Sequence, residues 1–259
     1  MNKGLFDGHG GNECSQMAKE YLHFQLLQTD GWKEGDILKA LEQAYEASEK
    51  YITTESAQKK YMSGTTAVSV VIAKKGEEME LYAANVGDTE AILVSEKPGH
   101  EGVDLFSSGN SFSSQEEESA KYPFTFLTQK HTPKDESEKK RIEEAEGMVI
   151  RDRVMGRIAV SRSLGDIQFK QPFNCSKEHW VSPKPHLFKI KLQDHHKFLI
   201  IATDGLWDVI PYHQAAELAF NCLRKNMNPK QICRFLVGAA IEAGSLDNIT
   251  VTLVLLKQI

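Results

Sequence analysis

Three apolar runs rich in β-branched residues stand close together in the first half of the chain, with only tight turns between them. Ala67-Val68-Ser69-Val70-Val71-Ile72 leads through Lys75-Gly76 to Leu81-Tyr82-Ala83-Ala84-Asn85-Val86, and Gly87-Asp88 leads on to Ala91-Ile92-Leu93-Val94. Runs of this composition favour strands. Strands joined so closely are antiparallel, because parallel neighbours need a long crossover. The spacing therefore predicts an antiparallel meander whose apolar faces must be covered by other elements.

The cover is legible on both sides. Asn12 is placed to cap a helix carrying Met17, Ala18, Tyr21, Leu22 and Leu26, and a second helix spans residues 35–52 with Ile37, Leu41, Ala44, Tyr45 and Ile52 on one face. Further on, residues 187–192 and 198–203 read as a strand pair around Asp194-His195-His196. Helices over 212–224 and 229–243 follow, and then a last, apolar and buried strand over 249–256. Two antiparallel sheets face to face, each with a helix pair outside it, would bury every apolar face. The fold class is thus α+β, a four-layer αββα sandwich, and the 259 residues are expected to form a single domain over 1–259. Residues 98–121, rich in serine, glycine and acid, read as a disordered surface insertion, and residues 133–147 as a mostly polar surface helix.

Charge and cysteine content narrow the function. A net charge of -5 argues against a nucleic-acid partner, and no apolar run is long enough to cross a bilayer. The start lacks the basic-then-apolar pattern of a signal peptide, so a cytoplasmic or nuclear location is expected. Cys14, Cys175, Cys222 and Cys233 form no C-x-x-C pair, which disfavours zinc and thioredoxin-like chemistry and leaves buried or incidental thiols.

The chemical signal lies in the aspartates. Asp7 follows Leu5-Phe6 in FDGHGG, Asp88 follows the second run, Asp204 ends the run over 198–203, Asp208 comes four residues later, and Asp247 precedes the last strand. Each could be a turn residue, since Asp-Gly and Asp-Asn are common turn dipeptides, and His9 could merely be exposed. Strand ends can also converge on one cleft. Carboxylates gathered there would raise each other's pKa unless cations neutralised them. Oxygen-only ligands suit Mg²⁺ or Mn²⁺, and two such ions about 3.5–4 Å apart can activate a bridging water beside a phosphoryl group. On spacing alone both readings stand.

The segments FDGHGG, SGTTAVSVVI, LYAANVGDTEAIL, LTQKHTP, RIEEAEGMVI, IAVSRSLGD, FLIIATDGLWDVI and DNITVTLV occur in one order. In that order the chain resembles the metal-dependent serine/threonine protein phosphatases of the PPM or PP2C family, over essentially residues 5–256. The resemblance implies an αββα sandwich that hydrolyses phosphoserine and phosphothreonine in phosphoprotein substrates by a metal-activated water, as a monomer, without a covalent intermediate. It implies two core Mg²⁺ or Mn²⁺ ions and a weaker third. Asp7 would bridge the core pair with help from the Gly8 carbonyl, Asp204 and Asp247 would complete the other core site, and Asp88, Asp208 and Asp204 would match the third. His9 would be the general acid. Ser63-Gly64-Thr65 would set a close turn, Arg162 with Asp166 would anchor the loop after a flap that lies around residues 134–175, and Trp207 would belong to the core.

The chain also departs from the family pattern. Lys130 stands at the usually acidic position before His131-Thr132-Pro133, Thr89 replaces a serine after Gly87-Asp88, and Glu146-Gly147 stands for a Gly-Gly pair. Only Met1 to Leu5 precede FDGHGG, whereas the family places a phosphate-gripping arginine and a Glu-Asp pair there. The resemblance therefore implies an N-terminally truncated domain with an unpaired sheet edge, no identifiable substrate-binding arginine and reduced activity. The alternative function is a catalytically weak or inactive scaffold.

Overall fold

The structure, a computed structural model, describes residues 1–96, 122–173 and 178–256. The insertion expected over 98–121, Cys175 and the end of the expected flap lie outside those residues. From the N-terminus run β1 (Asn2–Leu5), β2 (Gly8–His9), α1 (Glu13–Gln28), α2 (Asp30–Glu34), α3 (Ile37–Lys59), β3 (Gly64–Thr65), β4 (Ala67–Lys75), β5 (Glu78–Val86), β6 (Glu90–Ser95) and β7 (Phe124–Phe126). There follow α4 (Glu136–Glu144), β8 (Val149–Ile150), β9 (Arg153–Val154), β10 (Leu164–Gly165), a 3-10 turn (Ile167–Phe169), β11 (His186–Lys191) and β12 (His196–Ala202). The last elements are α5 (Asp204–Trp207), α6 (Tyr212–Arg224), α7 (Pro229–Glu242) and β13 (Val251–Leu255). None of the described helices is long and apolar enough to cross a membrane. The chain divides into two compact units, Met1–Thr89 with Thr128–Lys191, and Glu90–Leu127 with Leu192–Ile259.

In the first unit the strands are ordered β1-β4-β5-β11, all antiparallel. Helices α1 and α3 lay Ala18, Leu22, Leu26, Leu41, Ala44, Tyr45 and Ile52 against Val71, Tyr82, Ala84 and Val86 of that sheet. Tyr45 is buried, and its hydroxyl donates to the Ala84 carbonyl at 2.9 Å, so that polar atom is satisfied inside the layer. The alternate residues Val68, Val70, Leu81 and Ala83 are buried as well, which explains why these runs read as continuously apolar rather than alternating. A smaller sheet, ordered β10-β3-β2, lies in the same unit. Strand β1 forms the sheet edge, and its Leu5 pairs with Val68.

The second unit repeats the scheme with strands ordered β13-β12-β6-β7. Here α6 and α7 cover Ile92, Val94, Phe198, Ile200 and Ala202 with Ala215, Ala216, Ala219, Phe220, Ile232, Leu236 and Ala240. Helix α7 begins at a reciprocal cap. The Asn228 side chain accepts from the Gln231 N–H, and the Gln231 side chain accepts from the Asn228 N–H.

Several expectations are corrected. The three-strand meander does not form, because β6 leaves β4 and β5 and pairs with β12 and β7. The link before it is no hairpin turn. Gly87 has φ +90°, its carbonyl accepts from the His131 N–H at 3.0 Å, and the Thr66 and Thr89 hydroxyls bond at 2.6 Å. The expected pair of strands over 187–192 and 198–203 is likewise split. Half-exposed β11 edges the first sheet against β5, and β12, apolar and buried from Phe198 to Ala202, sits between β6 and β13. The last strand is a partly exposed edge rather than a buried one. Gly64 and Thr65 of the expected close turn form a short strand, β3. Asn12 does precede α1, but its side chain makes no capping bond. Helix α4 is not wholly a surface element, since it buries Ile142 and the Glu138 carboxylate.

Candidate active site

Asp7, Gly8 and His9 lie where the chain passes from β1 of the main sheet to β2 of the small one. Strand β2 pairs Gly8 with Thr65 and His9 with Gly64. The Asp7 backbone is held on both sides by one segment: its carbonyl accepts from the Thr66 N–H at 2.8 Å and the Thr65 hydroxyl at 3.0 Å, and its N–H donates to the Thr66 hydroxyl at 3.3 Å. The SGTT segment thus fixes the main chain of Asp7.

His9 has a partner that sequence reasoning missed. Its Nε2 lies 2.7 Å from Oδ2 of Asp166, whose side chain is only 2% exposed while that of His9 is 33% exposed. Asp166 Oδ2 also accepts from the Ser163 hydroxyl at 2.6 Å. The carboxylate can reach this place because Gly64 has no side chain: a Cβ there would stand 2.0 Å from Oδ2. Burial by itself lowers the pKa of His9, but the hydrogen bond and charge of Asp166, with the charges of Asp88 and Asp7, raise it above the usual imidazole value. The protonated imidazole is therefore favoured relative to that of an ordinary histidine.

Arg162 does not pair with Asp166 as expected. Its guanidinium grips Glu138 Oε1, from Nη2 at 2.5 Å and Nε at 3.0 Å, while Arg141 Nη2 reaches Glu138 Oε2 at 3.0 Å. Arg141 also donates to the carbonyls of Ser161 and His179. Burial opposes the charged form of Glu138, yet the two arginines hold its pKa down to about 2. This ionic core fastens α4 to the segment around residues 161–180. His131 lies fully buried beside it. Its N–H donates to the Gly87 carbonyl, its carbonyl accepts from the Ser161 N–H at 3.1 Å, and burial together with the Arg162 charge pushes its ring down to about 3. The HTP segment thereby ties the turn that carries Asp88 to the segment around Ser161.

Asp204, Asp208 and Asp247 belong to the second unit. Asp204 opens α5, and its carbonyl accepts from the Asp208 N–H at 2.8 Å. The loop bearing Asp247 is laced to that turn. The Thr203 hydroxyl donates to the Asn248 carbonyl at 3.2 Å and accepts from the Thr250 N–H, and the Ser245 hydroxyl donates to the Gly205 carbonyl at 2.7 Å. Gly205 permits the approach, because a Cβ would stand 2.3 Å from the Asn248 carbonyl oxygen. Asp247 Oδ1 accepts from the Asn248 N–H at 2.7 Å. Trp207 is a core residue, its indole N–H donating to the Ala202 carbonyl at 2.9 Å. The structure thus brings Asp7, Gly8, His9 and Asp88 together in one unit and Asp204, Asp208 and Asp247 in the other. Among the described residues no group of three or more His, Cys, Asp or Glu side chains is placed to hold a metal ion.

These features define a class, an α+β protein with a carboxylate-flanked imidazole at a strand end. Its fold is that of serine-threonine phosphatase 2C from Toxoplasma gondii, with a TM-score of 0.76 at 21% identity over 98% of this chain and 84% of that one. The family profile described as Protein phosphatase 2C matches residues 3–249, and the chain belongs to that family. It is 30% identical over 266 residues to Protein phosphatase 2C homolog 1 of Saccharomyces cerevisiae, covering 97% of this chain and 80% of the yeast protein. It is also 32% identical over 258 residues to Protein spalten of Dictyostelium discoideum, covering 98% of this chain but only 23% of the length of spalten.

Proposed function

We propose that this chain is a protein serine/threonine phosphatase that hydrolyses phosphoserine and phosphothreonine with water as the nucleophile. Membership of the Protein phosphatase 2C family supports the reaction class. The observation that carries the reading is His9, held 2.7 Å from a buried carboxylate and biased toward its protonated form. Such a group suits the hard part of phosphoester hydrolysis, which is the departure of a seryl or threonyl alkoxide. As the water oxygen bonds to phosphorus and gives up a proton to bulk solvent, the P–O bond to the side chain breaks. Its electron pair goes to the departing oxygen, which takes the proton of His9.

Metal dependence is part of the reading. Divalent Mg²⁺ or Mn²⁺, when bound, would supply a water of lowered pKa and neutralise phosphoryl charge. The described residues alone do not gather a cage for such an ion. The steps assigned to this chain therefore rest on its own groups, with the proton from His9 and the backbone clamp on Asp7 as the parts in view. We place the substrates among phosphoproteins of the cytoplasm or nucleus and treat the chain as a monomer.

The test is phosphate release from a phosphoserine peptide during Mn²⁺ and Mg²⁺ titrations, by the chain and by its Asp204→Ala variant. The reading expects ion-dependent turnover that Asp204→Ala abolishes. No turnover with either ion would overturn it and favour a phosphatase-like binding protein.

A further inference from the structure

The carboxylate that meets His9 stands in a loop with its own buried support. Lys170 and Glu49 form an ion pair at 2.7 Å, with the lysine side chain 1% exposed. Glu49 comes from the middle of α3, 121 residues away in the chain. Its second oxygen, Oε2, accepts from the Gly165 N–H at 3.0 Å, and the Lys170 ammonium also donates to the Ser163 carbonyl at 2.8 Å. The pair therefore grips residues 163, 165 and 170, on both sides of Asp166. The Asp166 N–H donates to the Ser63 carbonyl at 3.0 Å, and the Asp166 backbone is left-handed at φ +50°. A non-glycine residue at positive φ is held by its surroundings, and here those surroundings are the ion pair and the Ser63 carbonyl.

We propose that Glu49 and Lys170 act as positioning residues for His9, locking the loop of residues 163–170 so that Asp166 fixes the orientation and tautomer of the imidazole. Charges this deep are costly to bury and are a poor way to add stability, whereas a rigid two-point grip on a short loop sets one carboxylate with ångström precision. With Nε2 occupied by Asp166, Nδ1 is the nitrogen left to serve a substrate. The role of His9 as proton donor rests on the phosphatase reading above; the fixed ring does not.

The experiment is nitrogen-detected NMR of ¹⁵N-histidine-labelled full chain, comparing the neutral-form tautomer of His9 in the unsubstituted protein, in Asp166→Ala and in the double variant Glu49→Gln/Lys170→Met. The double variant removes both charges together, so neither is left buried alone. We expect a single Nε2–H tautomer in the unsubstituted protein and a tautomer mixture in both variants, with kcat on a phosphoserine peptide lowered about 100-fold and KM unchanged. His9 signals that keep their unsubstituted values in either folded variant would overturn the proposal. Should the double variant fail to fold, Lys170→Arg, which keeps the charge and shifts the contact, is judged by the same criterion. Absence of turnover by the unsubstituted chain would count against the phosphatase reading alone, because the ring measurement needs no activity.

Discussion

The two units hold their acidic turns by different means. In the first, Asp7 and His9 are set by groups far away in the chain: the Thr65–Thr66 segment, Asp166, and behind Asp166 a buried ion pair from α3. In the second, Asp204 and Asp247 are set by neutral hydroxyls bonded to backbone, those of Thr203 and Ser245. Buried charges make a rigid but vulnerable support, since removing one partner strands the other, whereas a lost neutral hydrogen bond costs far less. The contrast predicts that the first unit is the fragile one.

The largest effect is expected from Lys170→Ala or Glu49→Ala, each leaving an uncompensated buried charge and costing about 3–5 kcal/mol in urea unfolding. If either cost under about 1 kcal/mol, the charged support would be no stronger than a surface ion pair. Acid should act on the same unit. His131 has its pKa lowered to about 3, so the unfolded chain binds the extra proton as pH falls from 6.5 toward 3 and stability drops across that window. Glu138, lowered to about 2, adds a loss that begins below its unfolded value of 4.5. Urea midpoints that stay flat between pH 7 and 4 would contradict the first, and midpoints flat between pH 4 and 2 the second. In the second unit Gly205→Ala should cost about 1–3 kcal/mol, because its Cβ meets backbone that cannot swing aside. Ser245→Ala should cost only about 1 kcal/mol. A Ser245→Ala penalty equal to that of Lys170→Ala would erase the contrast.

Much of this was readable from the residues, and what was not has physical causes. Apolar periodicity placed α1, α6 and α7 to within a few residues, because each buries one stripe against a sheet, whereas α3 runs seven residues beyond its expected end at Ile52. Positions beside strands singled out Asp7, Asp88, Asp204, Asp208 and Asp247, and the family resemblance gave them and His9 their expected roles. Strand partnership was misread at β6 and β11, since a short link implies a hairpin only if its backbone bonds close on themselves. At Gly87 they go instead to His131. Asp166 was noticed but given the wrong partner, because SRSLGD puts Arg162 near in sequence while the fold sends it to Glu138. Glu49 and Lys170 belong to no motif and were not singled out. One clue was available: Glu49 lies between Tyr45 and Ile52 on the apolar stripe of α3, where an ionised side chain needs a partner.

The account's central claim is that a proton from His9 assists the departing alkoxide, and leaving-group dependence tests it most directly. His9→Ala and the unsubstituted chain would be compared on a phosphoserine peptide and on p-nitrophenyl phosphate, whose leaving group departs without needing a proton. The account predicts a fall of about 10²–10⁴-fold on the peptide and little change on the aryl ester. Equal losses on both, or none on the peptide, would contradict it.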